Sequence, residues 1–501
     1  MSAAENDSLA SVDRRDGPDM MIRPHALKRG IVRAIHGGLL LAICVALPMP
    51  ASAQIAVRNQ GYIPFSDPPI NYRSDDLSDP VAKLAQRIEQ GRATLEYEAD
   101  HGYLRSVLKL LNVPIDSQTL VFSKTSFQYP KISPEHPRAL YFNDDVYVGS
   151  VHEGKAVEIV SFDPMQGAIF YLLDERKTEH PAFQRAELDC TQCHIAAGTR
   201  GVPGVLLRSV YPTSAGTLVA GAKSFITDQE SPISERWGGW YLSNAVPAIS
   251  GMGNAVVPKR DGSSDDVSAG TTLAPLSPQF GAANYLSASS DLVAHLVLAH
   301  QTQMHNLITL TNYKTRLALY AQGAQGGSAA GASLPPDSAR QQFERPAEQL
   351  LRYLLFVNEA PLPGFDGQKI IATSPFARGF SQRGVRDPKG RSLRDFDLST
   401  RVFRYPCSYL IYSESFDQLP EPAKGYVYHR LLDILSGQDT SADFAGLSAE
   451  NRRAILEILL TTKSGLPAEW QNYAKANHLA ALNLRASEQA RLTGIALSIR
   501  N

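Results

Sequence analysis

Ala156-Val157-Glu158-Ile159-Val160-Ser161-Phe162 and Ala168-Ile169-Phe170-Tyr171-Leu172-Leu173 flank the connection Asp163-Pro164-Met165-Gln166-Gly167. Both arms are β-branched, aromatic or aliphatic, and the connection is rich in turn formers, so the stretch predicts a β-hairpin. Upstream, Thr119-Leu120-Val121-Phe122, Ala139-Leu140-Tyr141-Phe142 and Val146-Tyr147-Val148 are short runs of the same kind and read as strands. Earlier still, Val81, Leu84 and Ile88, then Leu104, Val107, Leu108 and Leu111, recur at three- and four-residue steps, so 80–112 reads as helical. Downstream, Val205 to Val210 and Thr217 to Ala222 are further strand candidates, and Lys259 to Gly270 is a polar loop.

After about residue 285 the period lengthens. Ser290 is placed to cap a helix from Asp291 to roughly Leu319, with Leu292, Leu296, His300, Met304 and Leu307 along one stripe. Residues 323–336 read as a flexible connector, because a Gly/Ala/Ser tract there ends at Pro335-Pro336. Helices are expected near 338–357, 422–436, 448–463 and 484–498. No period of 20–50 residues repeats, which argues against a propeller. The fold class expected is α+β: a mixed front half over 54–284 and a largely helical half over 285–501.

The chain has 501 residues, 43% hydrophobic and 20% charged, proportions of a globular protein rather than a disordered or many-span membrane one. Lys plus Arg (49) nearly balance Asp plus Glu (50), so there is no electrostatic footprint for nucleic acid. The first 53 residues read as an export signal. Arg23, Lys28, Arg29 and Arg33 precede the apolar run Leu39 to Leu47, and Ala51-Ser52-Ala53 supplies small residues for cleavage before Gln54. That run is well short of the roughly 20 residues that span a bilayer, and no longer one follows. An uncleaved anchor is the competing reading of this segment. The acidic residues among 1–19 raise the further expectation that translation starts at Met20 or Met21. The mature chain is expected in the periplasm, without a membrane span.

Cys190-Thr191-Gln192-Cys193-His194 carries the chemistry. In the pattern C-x-x-C-H the two thiols can add across the two vinyl groups of one haem, and the histidine is held beneath the iron as an axial ligand. With four Cys and 12 His in the chain, about 0.0008 such matches are expected by chance. A zinc half-site would need a second pair, and the mature chain offers only Cys407 as a further thiol. A thioredoxin-like redox pair would need a βαβ context that the sequence does not suggest. The string resembles the attachment motif of c-type cytochromes. That resemblance implies one covalent haem c, with Cys190 and Cys193 as attachment points and His194 as the proximal iron ligand. It covers the motif alone. The compact helical domain of the small electron carriers is not visible around it, and a second motif, as in two-haem peroxidases, is absent. Arg138-Ala139-Leu140-Tyr141-Phe142 and Glu235-Arg236-Trp237-Gly238-Gly239-Trp240-Tyr241 look like segments of large single-haem secreted bacterial proteins.

The second axial ligand separates a wire from a catalyst. Met252, between Gly251 and Gly253 in a stretch read as a flexible loop, is one candidate. His300, at the centre of its apolar stripe, is the other; Met304 and an open position complete the set. Three functions follow as expectations. The first is a periplasmic cytochrome that passes electrons to a redox partner protein. The second is a haem-dependent oxidoreductase or small-molecule sensor with an open or displaceable distal site, motivated by a mature chain far longer than one electron-carrying haem needs. The third is a secreted interaction protein without haem, Cys190 and Cys193 joined in a disulfide.

Overall fold

The computed structural model describes residues 63–243, 251–257, 274–275, 284–325, 337–362 and 364–479. The export segment, the loop 259–270, most of the connector 323–336 and the helix expected at 484–498 lie outside the described residues. All of the described residues fall in one compact unit. The fold is α+β with a helical C-terminal half.

The hairpin forms as its sequence predicts. Strand β4 (Ala156–Asp163) pairs antiparallel with β5 (Gly167–Asp174), and β1 (Thr119–Val121), β2 (Arg138–Phe142) and β3 (Val146–Ser150) precede them in the chain. Asp163 Oδ1 accepts from the N–H groups of Met165 (2.8 Å) and Gln166 (2.9 Å). Gly167 then takes φ +74°, a value that a side chain would resist. β6 (Gln184–Arg185) adds to β5, β7 (Leu207–Ser209) and β8 (Phe225–Thr227) make a separate ribbon, and β9 (Trp240–Tyr241) joins β1. The main sheet is thus seven antiparallel strands in the order β6-β5-β4-β3-β2-β1-β9. Thr217 to Ala222 is not a strand; the partner of β7 lies further on, at Phe225–Thr227.

Alternation along the strands divides the side chains between two cores. Tyr141, Val148, Ile159, Ile169 and Tyr171 face α1 (Pro80–Glu89) and α2 (Leu104–Leu110). The helical stretch read over 80–112 is therefore two helices, because Gly91 at φ +66° ends the first. Asp79 caps α1, accepting from Val81 N–H (2.9 Å), and also accepts from Tyr171 Oη–H (2.8 Å), which ties the helix to the sheet. Phe142, Tyr147, Phe162 and Phe170 face the other way, into a core shared with the helical half.

α3 (Glu187–His194) follows β6, and α4 (Leu292–Gln325) crosses the second face of the sheet. Then come α5 (Asp337–Leu354), α6 (Gly367–Thr373), α7 (Pro375–Gln382), α8 (Glu414–Asp417), α9 (Glu421–Ser436), α10 (Ala449–Thr462) and α11 (Ala468–Ala476). Residues on both sides of position 285 bury side chains in one cluster.

The cap of α4 is Asp291, whose Oδ1 accepts from Val293 N–H (2.8 Å) and Ala294 N–H (3.2 Å). Ser290, expected in that role, instead donates to Tyr241 O (2.6 Å). Nor does α4 have one apolar stripe. It is buried on every side from Leu292 to Tyr313, so its polar residues must find partners inside the protein. Gln301 Nε2 donates to Asn143 O (2.7 Å), His305 Nε2 to Asp144 O (2.7 Å) and Tyr313 Oη to Gln166 O (2.8 Å). The carbonyls of the strand connections serve the helix that crosses them.

Candidate functional site

Cys190, Cys193 and His194 all lie on α3. At 100° per residue, positions i, i+3 and i+4 share one face of a helix, so two thiols and one imidazole project together. Cys190 is half-buried against the larger core, whereas Cys193 is exposed. Neither is in a disulfide.

His194 is held from two sides by one residue. Its Nδ1–H donates to Gly204 O (2.8 Å), and Gly204 N–H donates back to His194 O (3.0 Å). Thr199 Oγ1 also donates to His194 O (3.2 Å). Nε2 has no hydrogen bond among the described residues, and burial lowers the pKa of the ring, so the neutral form with an available Nε2 lone pair is favoured. An imidazole whose Nδ1–H is committed to a backbone carbonyl is the arrangement that orients a metal-ligating histidine. The ring also leans on Phe170 of β5, centroids 5.0 Å apart.

The loop that supplies Gly204 is fastened to α4. Asn306 brackets Val205, accepting from its N–H at Oδ1 (3.1 Å) and donating to its carbonyl from Nδ2 (2.8 Å). Gln303 Nε2 donates to Gly198 O (2.8 Å), and its Oε1 accepts from Arg200 Nε (3.2 Å). A Cβ on Gly204 would collide with Asn306 Oδ1, so glycine is what lets this backbone lie against the helix. Gly204 stands in the glycine-rich string after the motif, where sequence hinted at it; Asn306 and Gln303, about a hundred residues away, left no local signal.

Beside His194 the second face of the sheet is only partly covered. Register aligns Leu140, Gly149, Glu158 and Leu172 in one row, with Phe142, Tyr147, Val160 and Phe170 in the next. Leu140, Val160 and Leu172 are half-buried, unlike the fully buried positions under α4. Gly149 leaves room for the Arg138 side chain to cross its row; a Cβ there would stand 2.8 Å from Arg138 Nε. Arg138 pairs with Glu158, whose Oε1 also accepts from Ser126 Oγ and Gln128 Nε2, each at 2.8 Å. Arg138 Nε is buried with no partner among the described residues. Two thiols, a poised imidazole and an apolar half-open surface together fit a flat, largely apolar group, as a porphyrin is.

The other residues singled out from sequence lie elsewhere. Met252 is buried near the start of β9: its N–H donates to Arg236 O (2.9 Å) and its Sδ accepts from Ser209 Oγ (3.6 Å). Its neighbouring glycines do not loosen it; they let the backbone press on Trp237 and Leu242, where any Cβ would clash. His300 is sealed in the helical core. Its Nδ1–H donates to Gln229 Oε1 (2.6 Å), its Nε2 accepts from Ser408 Oγ–H (2.7 Å), and its ring stacks on Tyr353 and Phe356. The structure gathers Cys190, Cys193 and His194, and it brings neither Met252 nor His300 to them. Trp237, Trp240 and Tyr241 belong to the core. Among the described residues no cluster of three or more His, Cys, Asp or Glu side chains is assembled for a metal ion. No known protein family, curated protein or solved structure matches the chain.

Proposed function

We propose that the protein is an exported c-type cytochrome of the periplasm, carrying one covalent haem on α3 and passing electrons through it to a redox partner protein. The observation that carries this reading is His194: its Nδ1–H is committed to Gly204 O and its Nε2 is open, on the same helix face as Cys190 and Cys193. When bound, the haem supplies a one-electron ferric/ferrous couple.

The chain's own residues attach, orient and shield. Cys190 and Cys193 would hold the haem through thioethers, each thiol adding its S–H across one vinyl group with no net gain or loss of electrons. Gly204 O holds the imidazole, Gly204 N–H holds the His194 backbone carbonyl, and Asn306 fixes the loop that carries Gly204. Phe170, Val160, Leu172 and Leu140 offer apolar surface on one side. On the other side Cys193 and Leu188, exposed by 67%, reach solvent on α3, where electrons can enter from a docked partner.

The test is intact mass and a pyridine haemochrome spectrum of the chain matured in a host that attaches haem. One haem on the peptide containing Cys190 to His194 is expected, with loss of one thioether in Cys190→Ala and in Cys193→Ala. Absence of tetrapyrrole mass from that peptide refutes the reading.

A further inference from the structure

We propose, resting on the haem reading above, that no methionine or histidine of the folded core fills the second axial position, and that the half-covered apolar surface beside His194 admits a small neutral ligand there, of the class of CO, NO and O2.

Two axial donors on one metal stand about 4 Å apart, since each bond is about 2.0–2.3 Å long. His194 leans on β5, whereas Met252 is bonded to residues at the start of β9, five strand steps away. At about 4.8 Å per step that is about 24 Å along the sheet. Met252 would have to leave a buried seat clamped by Trp237 and Leu242 to close the gap.

His300 uses both ring nitrogens, on Gln229 and Ser408, and is sandwiched by aromatic rings. Met304 is fully buried, and Met165 Sδ accepts from Asn312 Nδ2 (3.9 Å). His295 is bonded to Ser290 and to Tyr241 O. His305 Nδ1 has no partner among the described residues, but the ring is fully buried and stacked on Phe162 at 3.9 Å. Ligation by any of these would dismantle the core around α4.

The chemistry of the surface next to His194 selects the ligand class. Leu140, Val160, Leu172 and Phe170 are apolar, and Arg138 beside them is already compensated by Glu158. An anion moved onto such a surface loses hydration without gaining a counter-charge, whereas a neutral diatomic molecule loses little.

The experiment uses the matured, haem-bearing full chain. A pyridine haemochrome spectrum first establishes the attached haem. The ferrous protein is then mixed with CO and with NO, and the ferric protein is examined by electron paramagnetic resonance and titrated with azide. Expected are a high-spin ferric signal, a stoichiometric Soret shift with CO and with NO, and no azide-induced change at millimolar concentration. Met252→Ala, His300→Ala and His305→Ala should leave the spin state as in the wild type. An attached haem that stays low-spin and does not respond to CO overturns the inference while leaving the cytochrome reading in place. So does a high-spin signal that appears only in one of the three variants. Ready azide binding overturns the ligand class. A missing haemochrome overturns the cytochrome reading itself, and this inference falls with it.

Discussion

Replacing Gly204 by alanine should damage the site through a contact that only glycine permits. The added Cβ would collide with Asn306 Oδ1 and come within 2.9 Å of Asn306 Cγ and 3.2 Å of Thr199 Cβ. Overpacking of this kind costs about 1–3 kcal/mol. Pushing the loop away also breaks the two Asn306–Val205 hydrogen bonds, each worth about 1 kcal/mol, so Gly204→Ala should lose roughly 3–5 kcal/mol in all. Asn306→Ala should lose roughly 2–3 kcal/mol, because it leaves the buried N–H and C=O of Val205 unpaired. In the double variant the colliding group is gone, so the loss should be close to that of Asn306→Ala alone. A double-mutant cycle from urea denaturation followed by circular dichroism should therefore show a coupling of roughly 3–5 kcal/mol, nearly the whole of the Gly204→Ala loss. Losses that add to within about 0.5 kcal/mol would refute the claimed contact. On the proposed haem reading, Gly204→Ala should also broaden the haem absorption bands, since the carbonyl that holds His194 moves with the loop.

Three further outcomes follow. His300→Ala should cost roughly 3–5 kcal/mol in the same urea assay, because it opens a cavity and strands Gln229 and Ser408; on the proposed haem reading the haem spectrum should not change. Burial raises the Asp145 pKa to about 7, with Asp144 and Glu414 adding to the effect and Arg394 and Lys83 opposing it. The folded state then holds a proton that the unfolded chain has released, so wild-type stability falls as pH rises from about 4 to 7 and levels off above. Relative to wild type, Asp145→Asn should gain stability across that window; a flat difference between pH 4 and 8 would contradict the assignment. Cys407 is fully buried, and desolvation pushes its thiol pKa up. In chain made without haem attachment, iodoacetamide followed by peptide mass spectrometry should label exposed Cys193 readily and Cys407 only after denaturation.

Much of the fold is legible along the chain because its signals are local. The turn chemistry of Asp163 to Gly167 and the β-branched arms around it specify the hairpin, and the three- and four-residue spacing of apolar positions marks α1, α2, α5, α9 and α10. Elsewhere a local rule met a stronger demand. Ser290 is a good cap by type, but Asp291 holds the position and Ser290 bonds β9 instead. The sequence placed His300 and Met304 on one apolar stripe, yet α4 is buried on every side from Leu292 to Tyr313, and Gln301, His305 and Tyr313 bond backbone carbonyls that no sequence window contains.

The same division holds at the site. Five consecutive residues are enough to name the thiols and the imidazole, because the spacing i, i+3, i+4 places them on one helix face whatever surrounds them. That His194 Nδ1 is tied to Gly204, that Gly204 is pressed against Asn306, and that Met252 and His300 are bonded into other parts of the core depend on contacts between residues tens to hundreds of positions apart. Such contacts form only once the sheet and α4 have packed, so they were settled by the tertiary structure and not by any stretch of chain.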